Sequence, residues 1–344
     1  SIMIVPTSSR VSCTSALHRR SELHRRSELH RRSELHRRSV LHRRSVLRWA
    51  AASAGLLACA NRWPSTAAAI DPFDRPQPGK LRLSMAAYSL RDLLTNAKSG
   101  WDLFRFVDYC HQLGIPGAEL TSYYFPDYVD EGYIARLKSH CHRRGVSISG
   151  GAIANDFCQL NSDKLTSDIA HTKLWVDRYA TLGASVIRIF AGAQPSGEAW
   201  ESTRQRCVEA IEEVSNYAVE RGVYLALENH GGVTSTATQM LDIVRRVNSD
   251  GFGVNLDSGN FRSTSDPYAE LREIAPFAVN AQLKVEMYPG GKKEWTDIPR
   301  VLRILADSGY SGWVALEYEA SEPPLEAIPT WIEKLQTSLK ELQG

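Results

Sequence analysis

The chain predicts an α/β protein whose folded part, residues 81–344, is a single (β/α)8 barrel. Three observations point there. Short β-rich runs alternate with amphipathic helical stretches from Leu81 to the C-terminus. The centres of those runs recur at roughly 27 to 40 residues, the length of one βα unit. Eight such units fit the chain, and strict βα alternation makes a parallel sheet with right-handed crossovers. An open doubly wound sheet is the competing architecture. It normally brings a Gly-rich phosphate loop after the first strand, and AAYSLRDLL has none.

The expected strands are LRLSMAAYS (81–89), GAELTSY (117–123), VSISGGAI (146–153) and SVIRIFAG (185–192), then VYLALEN (223–229), FGVNLDS (252–258), AVNAQLKVE (278–286) and GWVALEYE (312–319). Each is rich in residues that fit a pleated surface and short enough to be a barrel strand. The stretches between them place apolar residues at three- and four-residue steps, as in Trp101, Phe104, Val107 and Leu113. Gly114, Gly145, Gly183, Gly222 and Gly309 stand where helices end before strands, as left-handed C-caps require. Asp297 reads as the N-cap of the helix that opens at Ile298-Pro299.

Residues 1–69 are of another kind. From Leu17 to Val46 the chain repeats LHRRSE three times and LHRRSV twice, a low-complexity tract that its own charge keeps solvated. The last repeat, Arg43-Arg44-Ser45-Val46-Leu47-Arg48, runs into an apolar Ala-rich stretch and then Ala67-Ala68-Ala69. A charged region, a short apolar region and a small-residue cleavage site in that order make an export signal. The paired arginines make it resemble a twin-arginine signal, which implies export of the folded protein to the periplasm. The apolar stretch is too short for a stable membrane span. Leu56-Leu57-Ala58-Cys59 also resembles a lipoprotein box, with Cys59 as the alternative lipid anchor, and cleavage after Ala69 is favoured over it. The Pro-rich segment 70–80 reads as a linker.

The leader also distorts the charge balance. Twelve of the 41 basic and three of the 39 acidic side chains lie in residues 1–48, so the remainder is net negative by about seven. A nucleic-acid partner calls for a basic face, and none is expected. Cys110, Cys141, Cys158 and Cys207 are scattered without a CxxC pair, which argues against a zinc knuckle or a disulfide framework. Oligomeric state is not legible.

The chemistry is concentrated at the ends of the last strands. Glu228 ends LALENH, Asp257 ends VNLDSGN, Gln282 lies in AQLKVE and Glu317 in VALEYE, with gaps of 29, 25 and 35 residues. Adjacent barrel strands place such residues at one mouth, where barrel chemistry is found. Several carboxylates buried together are heavily penalised without a cation, and oxygen donors suit a hard divalent ion, Mn²⁺ or Mg²⁺ before Zn²⁺ or Co²⁺.

LALENHGG, VNLDSGNF, QLKVE and GYSGWVALEYE, with SISGGAIANDFC and LWVDRYATLGASVIRIFAG upstream, resemble the xylose-isomerase-like barrels of sugar phosphate isomerases and epimerases. The resemblance spans about Leu81 to Gly344. It implies a divalent metal held by Glu228, Asp257, Gln282 and Glu317, and proton transfer through an enediolate by Glu228 and Glu317. Two positions depart from the family: Gln282 stands where most members carry a metal-binding His, and Asn260 where many carry His.

His230, Arg188, Lys284, Asn260, Glu119, Asn155 and Trp295 are the expected substrate contacts. Arg188 has two readings, a substrate contact or a counter-ion of Glu119, and Lys284 either polarises substrate or pairs with Glu286. Tyr88 is a weaker candidate. The expected partner is a small sugar, without a phosphate-binding loop to suggest a phosphorylated one. A keto-sugar or keto-inositol lyase or dehydratase would share the first half of the reaction. A non-catalytic exported sugar-binding barrel is the reading from outside enzymology, and a metal-dependent endonuclease is disfavoured by the acidic body and its few histidines.

Overall fold

The computed structural model describes residues 70–344. The Arg-rich repeat, the twin-arginine-type signal and Cys59 lie outside the described residues. Among the described residues no helix is long and apolar enough to cross a membrane.

Eight parallel strands close into a barrel: β1 Leu81–Ala86, β2 Gly117–Thr121, β3 Ser147–Ala152, β4 Val186–Ile189, β5 Tyr224–Glu228, β6 Phe252–Asp257, β7 Ala278–Lys284 and β8 Gly312–Glu317. Strand β1 pairs with both β2 and β8, and this pairing closes the barrel. The outer helices are α1 Leu103–Gln112, α2 Glu131–Arg144, α3 Ser162–Leu182, α4 Trp200–Val219, α5 Ala237–Val244, α6 Pro267–Ile274, α7 Ile298–Asp307 and α8 Pro324–Gln343. Several strands end earlier than expected, because the chain turns over the barrel mouth at once. Ala87–Leu90 and Ser122–Tyr124 are 3-10 turns in place of strand tails.

The sequence pattern explains why this barrel forms. Along β5 to β8, Leu225, Leu227, Val254, Leu256, Leu283, Val314 and Leu316 alternate with Ala226, Glu228, Asn255, Asp257, Gln282, Lys284, Ala315 and Glu317, and both sets are buried. Successive strand residues point to opposite faces. The aliphatic set therefore packs under the helices and the polar set fills the barrel interior.

Helix ends follow local chemistry. Asp102, Asp130 and Asp297 accept backbone N–H bonds from Arg105, Tyr133 and Arg300 at 2.9, 2.6 and 3.1 Å, so Asp297 is the N-cap expected of it. Gly145 and Gly183 end α2 and α3 at φ of 65° and 97°, a region where a Cβ is strained.

Segment 70–80 has no helix or strand but is not a loose linker. Phe73 N–H donates to Pro276 O at 3.1 Å, Arg75 Nη1 to Ala278 O at 2.7 Å and Gly79 N–H to Ala306 O at 2.8 Å. Phe73 and Arg75 line a cavity with Ser185, Tyr224, Gly312 and Trp313, residues at the N-terminal ends of β4, β5 and β8. The segment lies under the end of the barrel opposite the mouth.

Candidate active site

The barrel interior holds two tiers of polar side chains. In the lower one, Gln282 Nε2 donates to Glu119 Oε1 at 2.6 Å and Asn280 Nδ2 to Glu119 Oε2 at 3.0 Å. Asn255 Nδ2 donates to Gln282 Oε1 at 2.7 Å, and Asn280 Nδ2 also reaches Asn255 Oδ1 at 2.8 Å. Register makes this network: Asn255 pairs with Asn280 and Asp257 with Gln282 across β6 and β7. Burial pushes the Glu119 carboxyl up to about 7, against the hydrogen bonds from Asn280 and Gln282.

The upper tier carries the charges. Arg188 Nε meets Glu228 Oε2 at 2.9 Å, and Asn260 Nδ2 donates to Glu228 Oε1 at 2.8 Å. Lys284 Nζ lies 3.3 Å from Asp257 Oδ2, 3.3 Å from Glu317 Oε2, 2.9 Å from Glu319 Oε2 and 3.1 Å from Asn260 Oδ1. Asp257 Oδ1 accepts the Gly259 N–H at 2.8 Å, while Oδ2, buried without a hydrogen bond, faces the ammonium.

This environment spreads the carboxyl affinities. Burial pushes Glu228 up to about 7 and Asp257 well above the ordinary range, with Arg188 opposing the shift at the first and Lys284 at the second. Burial acts on Glu317 in the same direction, but Lys284, then Arg188 and the neighbouring Asp257 outweigh it and hold Glu317 below its ordinary value. Carboxyls with affinities driven apart in one cleft are the arrangement acid–base catalysis uses.

Glu228, Asp257, Lys284, Asn260 and Glu317 thus come together, joined by Arg188. Arg188 pairs with Glu228 rather than Glu119, donates to Ile153 O at 2.8 Å, and lies 3.9 Å over the Phe190 ring. Lys284 serves Asp257, Glu317 and Glu319 rather than Glu286, which pairs with Lys293. The His230 ring lies against Phe190, with ring centroids 4.5 Å apart, and its partial burial there, followed by the charges of Lys284 and Arg188, lowers its pKa.

Two expected contacts go elsewhere. Asn155 spends both ends of its amide on the Phe190 backbone, at 2.6 and 2.9 Å, and fixes the loop after β3. Trp295 sits on a short ribbon, Glu286–Met287 against Glu294–Trp295, and packs on Trp331 of α8 at 5.2 Å in a separate groove. Sequence reasoning missed Asn255, Asn280 and Glu319. Each lies two residues from an expected site residue, so strand alternation was the available signal. It also missed Tyr123, whose hydroxyl lies 3.4 Å from the Arg188 guanidinium. A cavity of about 240 Å³ opens on Lys284 and Glu319, walled by Arg91, Arg262, Glu286 and Tyr288.

The donor set does not fit the four-ligand divalent ion that the sequence suggests. The Gln282 amide oxygen accepts from Asn255 and its nitrogen donates to Glu119. Glu228 faces the Arg188 guanidinium with one oxygen and accepts the Asn260 amide on the other. The remaining carboxylates, Asp257 and Glu317, converge on a point where the Lys284 ammonium stands. Among the described residues no group of three or more His, Cys, Asp or Glu side chains is arranged to hold a metal ion.

A family profile described as a xylose isomerase-like TIM barrel matches residues 107–342. No curated protein matches the chain in sequence. Similar solved structures include the apo form of the 3-keto-D-glucoside 4-epimerase YcjR from E. coli, at 13% identity and a TM-score of 0.59, covering 75% of this chain and 99% of that one. D-psicose 3-epimerase from Clostridium cellulolyticum H10, solved with D-tagatose, is 17% identical with a TM-score of 0.59, covering 75% and 97%. An IolI protein with a zinc atom is 20% identical with a TM-score of 0.58, covering 75% and 96%. At these identities the likeness establishes the fold.

Proposed function

The chain belongs to the xylose isomerase-like TIM barrel family, and from that premise we propose that it is a keto-sugar isomerase or epimerase acting by proton transfer next to a carbonyl. The observation that carries the reading is the pair Glu228 and Glu317 at one barrel mouth, with a buried cation, Lys284, against Glu317. The solved sugar epimerases of this fold support the choice of substrate class.

Glu228, with its carboxyl near 7, has the basicity a general base needs at neutral pH. Its carboxylate takes the proton from the carbon beside the carbonyl, and the C–H electron pair moves onto the carbonyl oxygen as an enediolate. The Lys284 ammonium and the Arg188 guanidinium supply positive charge at the mouth where that oxygen becomes negative. In an epimerase the proton returns to the opposite face of the same carbon from the Glu317–Asp257 pair, whose Asp257 member burial pushes well above the ordinary carboxylate range. In an isomerase it goes to the neighbouring carbon, and the hydroxyl proton of the first carbon passes to the enediolate oxygen as the new carbonyl forms. Glu228 ends protonated and Glu317–Asp257 one proton short, and exchange with solvent restores both. His230, at the rim and with its pKa lowered, is placed to hydrogen-bond a sugar hydroxyl.

Incubation with a panel of ketoses and 3-keto-glycosides, followed by NMR identification of products, tests this. The expected result is an isomer or epimer of one panel member, formed at least about 100-fold more slowly by Glu317→Gln and by Glu228→Gln. Conversion that survives both substitutions, or products formed by loss of water or of a glycoside, would overturn the assignment.

A further inference from the structure

We propose that the Lys284 ammonium is the resident cation of this barrel, filling the place where a divalent ion would neutralise the strand-tip carboxylates, so that the chain works without a bound metal. Four oxygens surround Nζ within 3.3 Å, from Asp257, Asn260, Glu317 and Glu319. An ammonium has three N–H donors, so this cage serves it as an ion as well as a donor.

The lysine is built in along its whole length. Its residue is only 6% exposed. The turn after β6 is shaped to its stem: a Cβ on Gly259 would stand 2.8 Å from both Cβ and Cδ of Lys284, closer than carbon atoms approach. Ser258 Oγ accepts the Lys284 backbone N–H at 2.9 Å, so the same turn fixes the base of the side chain.

The other two side chains a metal would need face partners of their own. Gln282 belongs to the lower amide network, and Glu228 to Arg188 and Asn260. Seating a divalent ion between Asp257 and Glu317 would press two like charges together or drive the ammonium from a site formed around it. Resting on the functional reading above, the inference assigns oxyanion stabilisation to this side chain, a fixed charge in a water-poor site.

The test needs no turnover. Full-length protein dialysed against EDTA is titrated with Mn²⁺ and followed by electron paramagnetic resonance, with thermal unfolding in parallel. Mn²⁺ is the probe because the leader histidines would capture softer ions. Wild type is expected to leave the free-ion signal undiminished at micromolar concentrations, with the same Tm in EDTA and in Mn²⁺. Lys284→Met removes the charge and keeps most of the stem, and is expected to bind one Mn²⁺ per chain and to gain Tm from it.

One tightly bound Mn²⁺ in wild type overturns the inference, as does a folded Lys284→Met that binds none. Should that variant not fold, the wild-type titration decides alone. A metal-blind protein inert on every keto-sugar refutes the enzymatic reading and leaves the lysine assignment intact. An active protein that EDTA silences does the reverse.

Discussion

Glu228 accepts the Asn260 amide on one carboxylate oxygen and faces the Arg188 guanidinium with the other, yet its carboxyl is pushed up to about 7, because burial, with the charges of Glu317 and Glu119, outweighs Arg188. Only its ionised form can take a proton from carbon. The rate is therefore expected to climb about tenfold per pH unit below 7 and to level off above it. Arg188→Met removes the opposing charge and moves that limb to higher pH, while costing about 3–5 kcal/mol for the buried carboxylate left alone. A pH–rate profile of both proteins checks this, and a limb that stays put in the variant would show that Arg188 does not set the affinity of Glu228. At this scale the sequence was informative about identities and poor about pairings. Glu228, Asp257, Lys284 and Glu317 are legible as strand-tip residues. That Gln282 turns to Glu119 depends on Asn255 and Asn280, and no spacing rule connects Gln282 to a residue 163 positions away.

Strands and helices were legible wherever hydrophobic period decided the matter. In β5 to β8 both faces are buried, so the interior set shows as polar letters between aliphatic ones, and that alternation marks the barrel interior. Strand ends were less legible, since Tyr88 and Tyr123 look like strand residues but lie in 3-10 turns over the mouth. The loop after β3 looks like a substrate contact through Asn155, whose amide bridges the Phe190 N–H and C=O. One contact between elements sets a demand on sequence. A Cβ at Gly151 of β3 would run into the Tyr179 ring of α3, whose hydroxyl donates to Leu120 O. Gly151→Ala is expected to cost about 1–3 kcal/mol, read as a lower urea midpoint at unchanged m-value. A neutral substitution would mean that α3 and β3 are not held at this distance.

Over the whole molecule, the two ends of the barrel do different work. The lower end is crossed by segment 70–80, whose backbone and Arg75 reach Pro276, Ala278 and Ala306. The upper end gathers carboxyls, two buried cations and a cavity of about 240 Å³. Such a site trades stability for chemistry, since several carboxyls are held away from their ordinary affinities. The measurement that bears most directly on the account is proton NMR of keto-sugars incubated with the full chain in D₂O containing EDTA. The expected result is loss of the proton signal at a carbon beside the carbonyl of one substrate, with deuterium in its place, and no such loss with Glu228→Gln. Retention of every carbon-bound proton, in sugars that the protein binds, would contradict it.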